Sequence, residues 1–233
     1  MQLPFCFDER PTLDLVRKHL LTIYGPQRDE LRHAPTPQFF KAVISSRTYD
    51  RKSAHAFDDL CMRFPSWDLL VEADPHDVAN TINDVTHATR KAEQVVRAAQ
   101  RIREIFNYVD LSDLGKWSVT NAYGLVTGLP GAGPKVAAAT LNFSTLHMRL
   151  LTVDTHVLRV SSRLGLIPMN SNYTNGFEKL MQLVPPEWDA DDLYELHWLI
   201  KMFGQRICTH HDPACEHCPL VSFCAHGRKR LTH

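Results

Sequence analysis

Residues 129 to 156 open with Leu129-Pro130-Gly131-Ala132-Gly133-Pro134-Lys135, continue through the alanine-rich run Val136 to Phe143, and close on Val153-Asp154-Thr155-His156. A glycine-cornered hairpin leads into an apolar helix start. A lysine sits inside that start, and an aspartate follows nineteen residues later. Gly131 and Gly133 permit positive φ and close backbone approach. The N–H groups of such a turn, with the positive end of the next helix dipole, make a cradle for phosphate that reads charge and shape. The same run also suits a tight helix–helix turn. An ammonium at a helix N-terminus opposes the dipole, which favours the neutral amine of Lys135. A neutral amine is a nucleophile and can form a Schiff base with a sugar aldehyde carbon. Asp154 offers a carboxylate to stabilise a cationic sugar or to help deprotonate the amine. Its competing role is to cap the helix of His156, Val157 and Val160.

Helical patterning surrounds this stretch on both sides. Leu13, Val16, Leu20 and Ile23 recur at helical spacing and stop at Gly25-Pro26. Thr36 and Pro37 read as an N-cap and first residue of a helix through Phe39, Phe40, Val43 and Ile44. A helix over 51–64 places Ala54, Phe57, Cys61 and Phe64 on one face, and Asp74-Pro75 starts the next. From 89 to 107, Ala92, Val95, Val96, Ala99, Ile102 and Phe106 form a buried stripe, and Arg and Lys cover the rest. Residues 116–127 make a helix, with Trp117, Val119, Tyr123 and Val126 as its apolar positions, ended by Gly128. Further helices start at Thr155, Phe177 and Leu193. No alternating strand pattern appears, so the chain reads as all-α with about ten helices and short connections.

The chain has 233 residues, 44% hydrophobic and 22% charged, as expected of a globular protein with one large core or two modest ones. No apolar run approaches membrane-spanning length, and no basic segment precedes an apolar core at the N-terminus. An intracellular location without membrane attachment is the expectation, cytoplasm or nucleoid if the source is bacterial or archaeal. Formal net charge is zero, so any nucleic-acid affinity must come from a local basic face. Arg228-Lys229-Arg230 and the set Arg149, Arg159 and Arg163 are the candidates; a solvated surface explains them as well.

Six cysteines are present, and four of them, Cys208, Cys215, Cys218 and Cys224, are spaced Cys-x6-Cys-x2-Cys-x5-Cys. In a reducing compartment this is a metal-ligand pattern before it is a disulfide pattern. Four thiolates can hold a tetrahedral Zn²⁺ or a 4Fe–4S cluster. Zinc sites usually carry two short knuckles and this loop has one, which favours iron–sulfur. Pro219, Arg206 and His210 fit a compact ligand loop. Cys6 and Cys61 read as ordinary apolar positions.

Together these parts resemble the endonuclease III branch of the helix–hairpin–helix (HhH-GPD) DNA glycosylases. The resemblance rests on Leu129 to Gly133, Lys135, Val153 to His156 and the four-cysteine loop at that family's spacing. It extends to Glu178-Lys179-Leu180, Val184-Pro185 and His197-Trp198-Leu199-Ile200. It implies a six-helix barrel ending in the hairpin, residues 28–147, and a second helical domain of 1–27 and 148–233 carrying a structural or redox 4Fe–4S cluster. It implies that Lys135 is the Schiff-base lysine and Asp154 the catalytic aspartate. A monomer acting on double-stranded DNA would then flip out a damaged nucleotide or abasic site, release the base and cleave the strand by β-elimination. Leu129, Gly131, Gly133 and His156 would contact the DNA.

Two stretches depart from the family pattern. Ser45-Ser46-Arg47-Thr48-Tyr49-Asp50 carries Arg47 where a glutamine usually fills the gap left by the flipped base. Arg47 is large and charged enough to fill that gap and to read an opposing guanine; a phosphate contact or surface ion pair is its plainer role. Ser45 and Asp50 keep the family pattern, with Asp50 a candidate cap of the next helix. Thr86 to Ala92 replaces the wedge loop and puts His87 at the wedge leucine, where it can stack between bases or simply face solvent. Base preference therefore does not carry over, and oxidised pyrimidines stand only as the default lesion. The alternatives are a mismatch-specific or monofunctional glycosylase, a non-catalytic DNA-binding or redox-sensing protein, and a zinc-bearing structural protein.

Overall fold

A computed structural model describes residues 11–28 and 31–232; Cys6 and the N-terminal segment lie outside them. Eleven α-helices, and no strand, occur among the described residues. In chain order they are α1 (Leu13–Tyr24), α2 (Pro35–Ser45), α3 (Asp50–Arg63), α4 (Pro75–Thr81), α5 (Ala88–Phe106), α6 (Val119–Thr127), α7 (Pro134–Phe143), α8 (Thr155–Leu164), α9 (Tyr173–Leu183), α10 (Ala190–Arg206) and α11 (Ala225–Leu231). None of these helices is long and apolar enough to cross a membrane. The chain divides into two compact units, Glu30–Leu150 and Met1–Asp29 with Leu151–His233.

The first unit holds α2 to α7. Phe39, Phe40, Ile44, Leu60, Leu70, Ile82, Ile102, Leu111 and Leu114 are fully buried in it. The α2 helix packs on α7 and α3, and α4 packs on α5. It begins at Pro35, two residues before the start read from the sequence, with Ala34 as N-cap. Thr36 is therefore inside the helix and buried. Its hydroxyl donates to Asp110 Oδ1 (3.1 Å) and accepts the Leu111 N–H (2.8 Å), a connection 75 residues long that no local rule reveals. The face of α3 is also rotated from expectation. Ser53, Ala56, Phe57 and Leu60 are buried, whereas Ala54 faces solvent. In α6 only Ala122 and Val126 are buried, and Trp117 before it is 39% exposed.

The second unit packs α8 on α10, α1 on α10 and α11 on α8. Leu13, Val16 and Leu20 join Val157, Val160, Leu164, Leu196, Leu199, Ile200 and Phe203 in one core. Ile23 does not; it is 44% exposed at the end of α1. Arg17 clasps Glu195, which is itself buried, and also bonds Asp192 at 2.7 Å. That contact fastens α1 to α10, and the Glu195 carboxylate accepts the Gln27 N–H as well (3.1 Å).

Candidate active-site residues and the cysteine loop

The hairpin is a hydrogen-bonded turn from Leu129 to Ala132, closed by Ala132 N–H to Leu129 C=O at 3.0 Å. Pro130 and Gly131 occupy its corners, and Gly131 has φ 77°, the type II pattern. Glycine is required twice over at 131. A Cβ there would lie 2.9 Å from Gln94 Cβ and 3.2 Å from Val43 Cγ1. Gly133 differs from the sequence reading. Its backbone is extended (φ −153°), and a Cβ would meet nothing within 4 Å. Leu129 is buried, so it can present backbone, not side chain, to a ligand. Lys135 is half-buried at the second position of α7, after Pro134.

Ser45 to Thr48 form a second turn of the same pattern, with Thr48 N–H bonded to Ser45 C=O at 3.1 Å. Ser46 takes φ −56° and ψ 124°, and Arg47 takes φ 55°. A non-glycine residue in that region costs roughly 1–2 kcal/mol, so something must hold it. His87, which precedes α5, is also left-handed, at φ 61° and ψ 42°. Arg47 and His87 are both exposed. Asp50 does not cap α3. Tyr49 stands at the cap, and Asp50 opens the first turn, where its charge favours the dipole.

The sequence pattern missed Lys91. It stands on the α5 face assigned to solvent, yet it is only 5% exposed. Its ammonium donates to Ile44 C=O (2.7 Å), Ser46 C=O (2.6 Å) and Thr48 Oγ1 (3.0 Å). Burial, and then the nearby Lys135 charge, lower its pKa to about 8. A basic residue directly before the apolar stripe of a helix was the only signal available.

In the other unit Asp154 caps α8. Its Oδ1 accepts both the His156 N–H (2.9 Å) and the Val157 N–H (2.8 Å), so capping uses one of the two carboxylate oxygens. Burial works against its ionisation. The charge of His197, chiefly, and the Val157 N–H outweigh that and hold the carboxyl below its usual range. His197 is buried and bonds Thr152 C=O through Nδ1 (2.8 Å). His156 lies against Gly204, where a Cβ would sit 3.0 Å from the His156 Cβ. Arg159 donates to its Nδ1 at 3.1 Å; a guanidinium can only donate, so Nδ1 is the acceptor. Lys135 and Asp154 thus belong to different units.

Cys208, Cys215, Cys218 and Cys224 line one small pocket with Arg163, Leu164, Phe203 and Gly227. Short 3₁₀ turns at Cys215–His217 and Val221–Phe223 set the loop. Arg163 donates to Cys208 Sγ and the Gly227 N–H to Cys224 Sγ, each at 3.3 Å. Burial, and charge on the other cysteines, push the Cys218 thiol up to about 11. Cys224 is raised too, for the same leading reason. Among the described residues, no three or more His, Cys, Asp or Glu converge to hold a single metal ion.

Arg159 and Arg163 are not a free basic face. Arg159 spends its guanidinium on Gly204 C=O (2.8 Å) and Cys208 C=O (3.1 Å). Arg163 bonds Thr209 C=O (2.6 Å) and His210 C=O (2.8 Å). Both fasten the cysteine loop to α8. Arg206 stacks over Tyr24, 5.6 Å from the ring centre.

Residues 40–186 match the family model of the HhH-GPD superfamily base excision DNA repair proteins. The chain is 37% identical over 182 residues to endonuclease III of Rickettsia felis, covering 78% of each protein. It is 29% identical over 202 residues to endonuclease III of Thermotoga maritima, covering 85% of this chain and 87% of that one. Among solved structures, a trapped endonuclease III–DNA covalent intermediate matches with TM-score 0.77 at 20% identity, covering 97% of this chain and 100% of that one. A thermostable thymine-DNA glycosylase matches at 0.71 and 19% identity, covering 93% and 97%. At those identities the structural likeness is one of fold. The chain belongs to the HhH-GPD superfamily as an endonuclease III-like base-excision repair DNA glycosylase.

Proposed function

We propose that the protein excises damaged bases from duplex DNA and then cleaves the resulting abasic site, with oxidised pyrimidines as the default substrate class. The observation that carries this reading is Asp154, a carboxylate kept ionised in a partly buried N-cap that uses one of its oxygens. An ionised carboxylate there suits the positive charge that develops on the sugar as the glycosidic bond breaks. The amine of Lys135 adds to C1′ as the base leaves with a proton. Ring opening at O4′ gives a Schiff base. Loss of a C2′ proton expels the 3′ phosphate, and hydrolysis of the imine frees the lysine. In this reading the barrel domain spans 28–147 and the cluster domain 1–27 and 148–233. The hairpin cradles phosphate, and Arg47 and His87 occupy the space a flipped nucleotide leaves. That one structural neighbour is an endonuclease III trapped on DNA supports a DNA partner.

The four cysteines fit a 4Fe–4S cluster better than one zinc ion. Their spacing carries one short Cys-x2-Cys knuckle where zinc sites usually carry two, and all four line one pocket. Such a cluster would supply structure or electron transfer, and no step of base excision is assigned to it. Arg163 and the Gly227 N–H, both bonded to sulfur, would hold its ligands in place.

Asparagine caps a helix about as well as aspartate. Asp154→Asn should therefore keep stability within ~0.5 kcal/mol and lose at least about 100-fold in single-turnover base release. Duplexes carrying single oxidised pyrimidines supply the substrate. Release by Asp154→Asn at the wild-type rate, or no release by wild type on any lesion, overturns the reading. Base release without strand cleavage would assign a monofunctional enzyme instead.

A further inference from the structure

The Arg47 turn and the His87 turn are built as one piece. Thr48 Oγ1 accepts the Thr86 N–H at 3.1 Å and a Lys91 N–H at 3.0 Å. The other two donors of the Lys91 ammonium go to Ile44 and Ser46 C=O, on either side of Ser45. An ammonium has three donors, and all three end on the segment 44–48. Lys91 itself rides in the first turn of α5, directly after His87. One buried cation thus joins two exposed, left-handed residues from segments forty positions apart.

We propose that Lys91 is a positioning residue that presents Arg47 and His87 together to the strand opposite a flipped nucleotide. The inference rests on the reading of Arg47 and His87 as gap-filling residues. The proper backbone of the Ser45–Thr48 turn is the unfavourable one for arginine. Carbonyls 44 and 46 turn inward onto Lys91, which keeps that turn in register with His87. A methionine at 91 fills the same space without donors. The Arg47 turn is then free to leave its left-handed geometry, and the guanidinium loses its place.

The test reads the opposing base without requiring turnover. A duplex carries a tetrahydrofuran abasic analogue opposite 2-aminopurine. At saturating wild-type protein the 2-aminopurine signal rises, because the base is unstacked by the inserted side chains. Arg47→Ala and Lys91→Met are each expected to cut that plateau about threefold or more, at equal saturation. Adding Lys91→Met to a variant that already carries Arg47→Ala and His87→Ala should lower the plateau no further, since Lys91 acts through those two residues. An additive further loss, or a wild-type plateau in Lys91→Met, overturns the proposal. No rise with wild type, or a full rise with Arg47→Ala, sinks the gap-filling reading and the proposal with it. If Lys91→Met does not fold, Thr48→Val removes the shared hydroxyl and is judged by the same plateau.

Discussion

Two turns in the Glu30–Leu150 unit share one hydrogen-bond pattern and differ at the third corner. Leu129–Ala132 has Pro130 and then Gly131 at φ 77°; Ser45–Thr48 has Ser46 and then Arg47 at φ 55°. Glycine adopts that conformation without strain, and in the proposed function the turn presents backbone. Arginine adopts it at a cost, and in the proposed function the turn presents a side chain. The first turn is closed by its own residues. The second is held from outside, by Lys91 and by the Thr86 N–H. A turn that displays backbone needs only its own sequence, whereas one that displays a strained side chain needs a distant support.

The comparison can be broken by substitution. Gly131→Ala should destabilise the protein by roughly 2–3 kcal/mol in urea unfolding, from positive φ and the contact with Gln94 together. Gly133→Ala, extended and unobstructed, is the control and should lose no more than about 1 kcal/mol, the cost of alanine at the α7 N-cap. Equal effects at the two glycines would remove the first half of the comparison.

Lys91 gives the second half a pH signature. Its amine has an ordinary pKa of 10.5 and is pulled to about 8 in the fold. The folded state therefore binds that proton less tightly than the unfolded chain. The cost is complete below pH 8 and fades as pH rises towards 10.5, so stability increases across that window. Relative to Lys91→Met, wild type should gain on the order of 1–3 kcal/mol between pH 7.5 and 10.5 in urea midpoints. A constant difference contradicts the buried ammonium. The smallest effect belongs to Arg47→Gly, which relieves the left-handed strain but loosens the unfolded chain. It should raise stability by up to ~1 kcal/mol in the same assay. A loss would show that Arg47 is unstrained.

Much of the molecule was legible because its determinants are local. The hairpin follows from Pro130-Gly131, the start of α8 from Asp154, and the metal-ligand loop from cysteine spacing alone. The all-α pattern follows from apolar periodicity. What escaped is long-range. Thr36 looks like a cap but reaches Asp110 and Leu111. Arg159 and Arg163 look like part of a local basic face but hold the cysteine loop. Lys91 looks like a solvated helix residue but fills its three donors on α2 and the turn that follows. In each case a polar side chain satisfies buried backbone or side-chain groups supplied by distant sequence, and composition cannot tell that from exposure. The preference for Gly133 also has no steric cause in the free protein.

The proposed lyase step rests on Lys135. Wild-type protein is incubated with duplex DNA containing one abasic site in the presence of sodium borohydride, and the products are resolved on a denaturing gel. The account predicts a covalent protein–DNA adduct with wild type, and none with Lys135→Ala although that variant still binds the duplex. No adduct with wild type, or an equal adduct with Lys135→Ala, would contradict it.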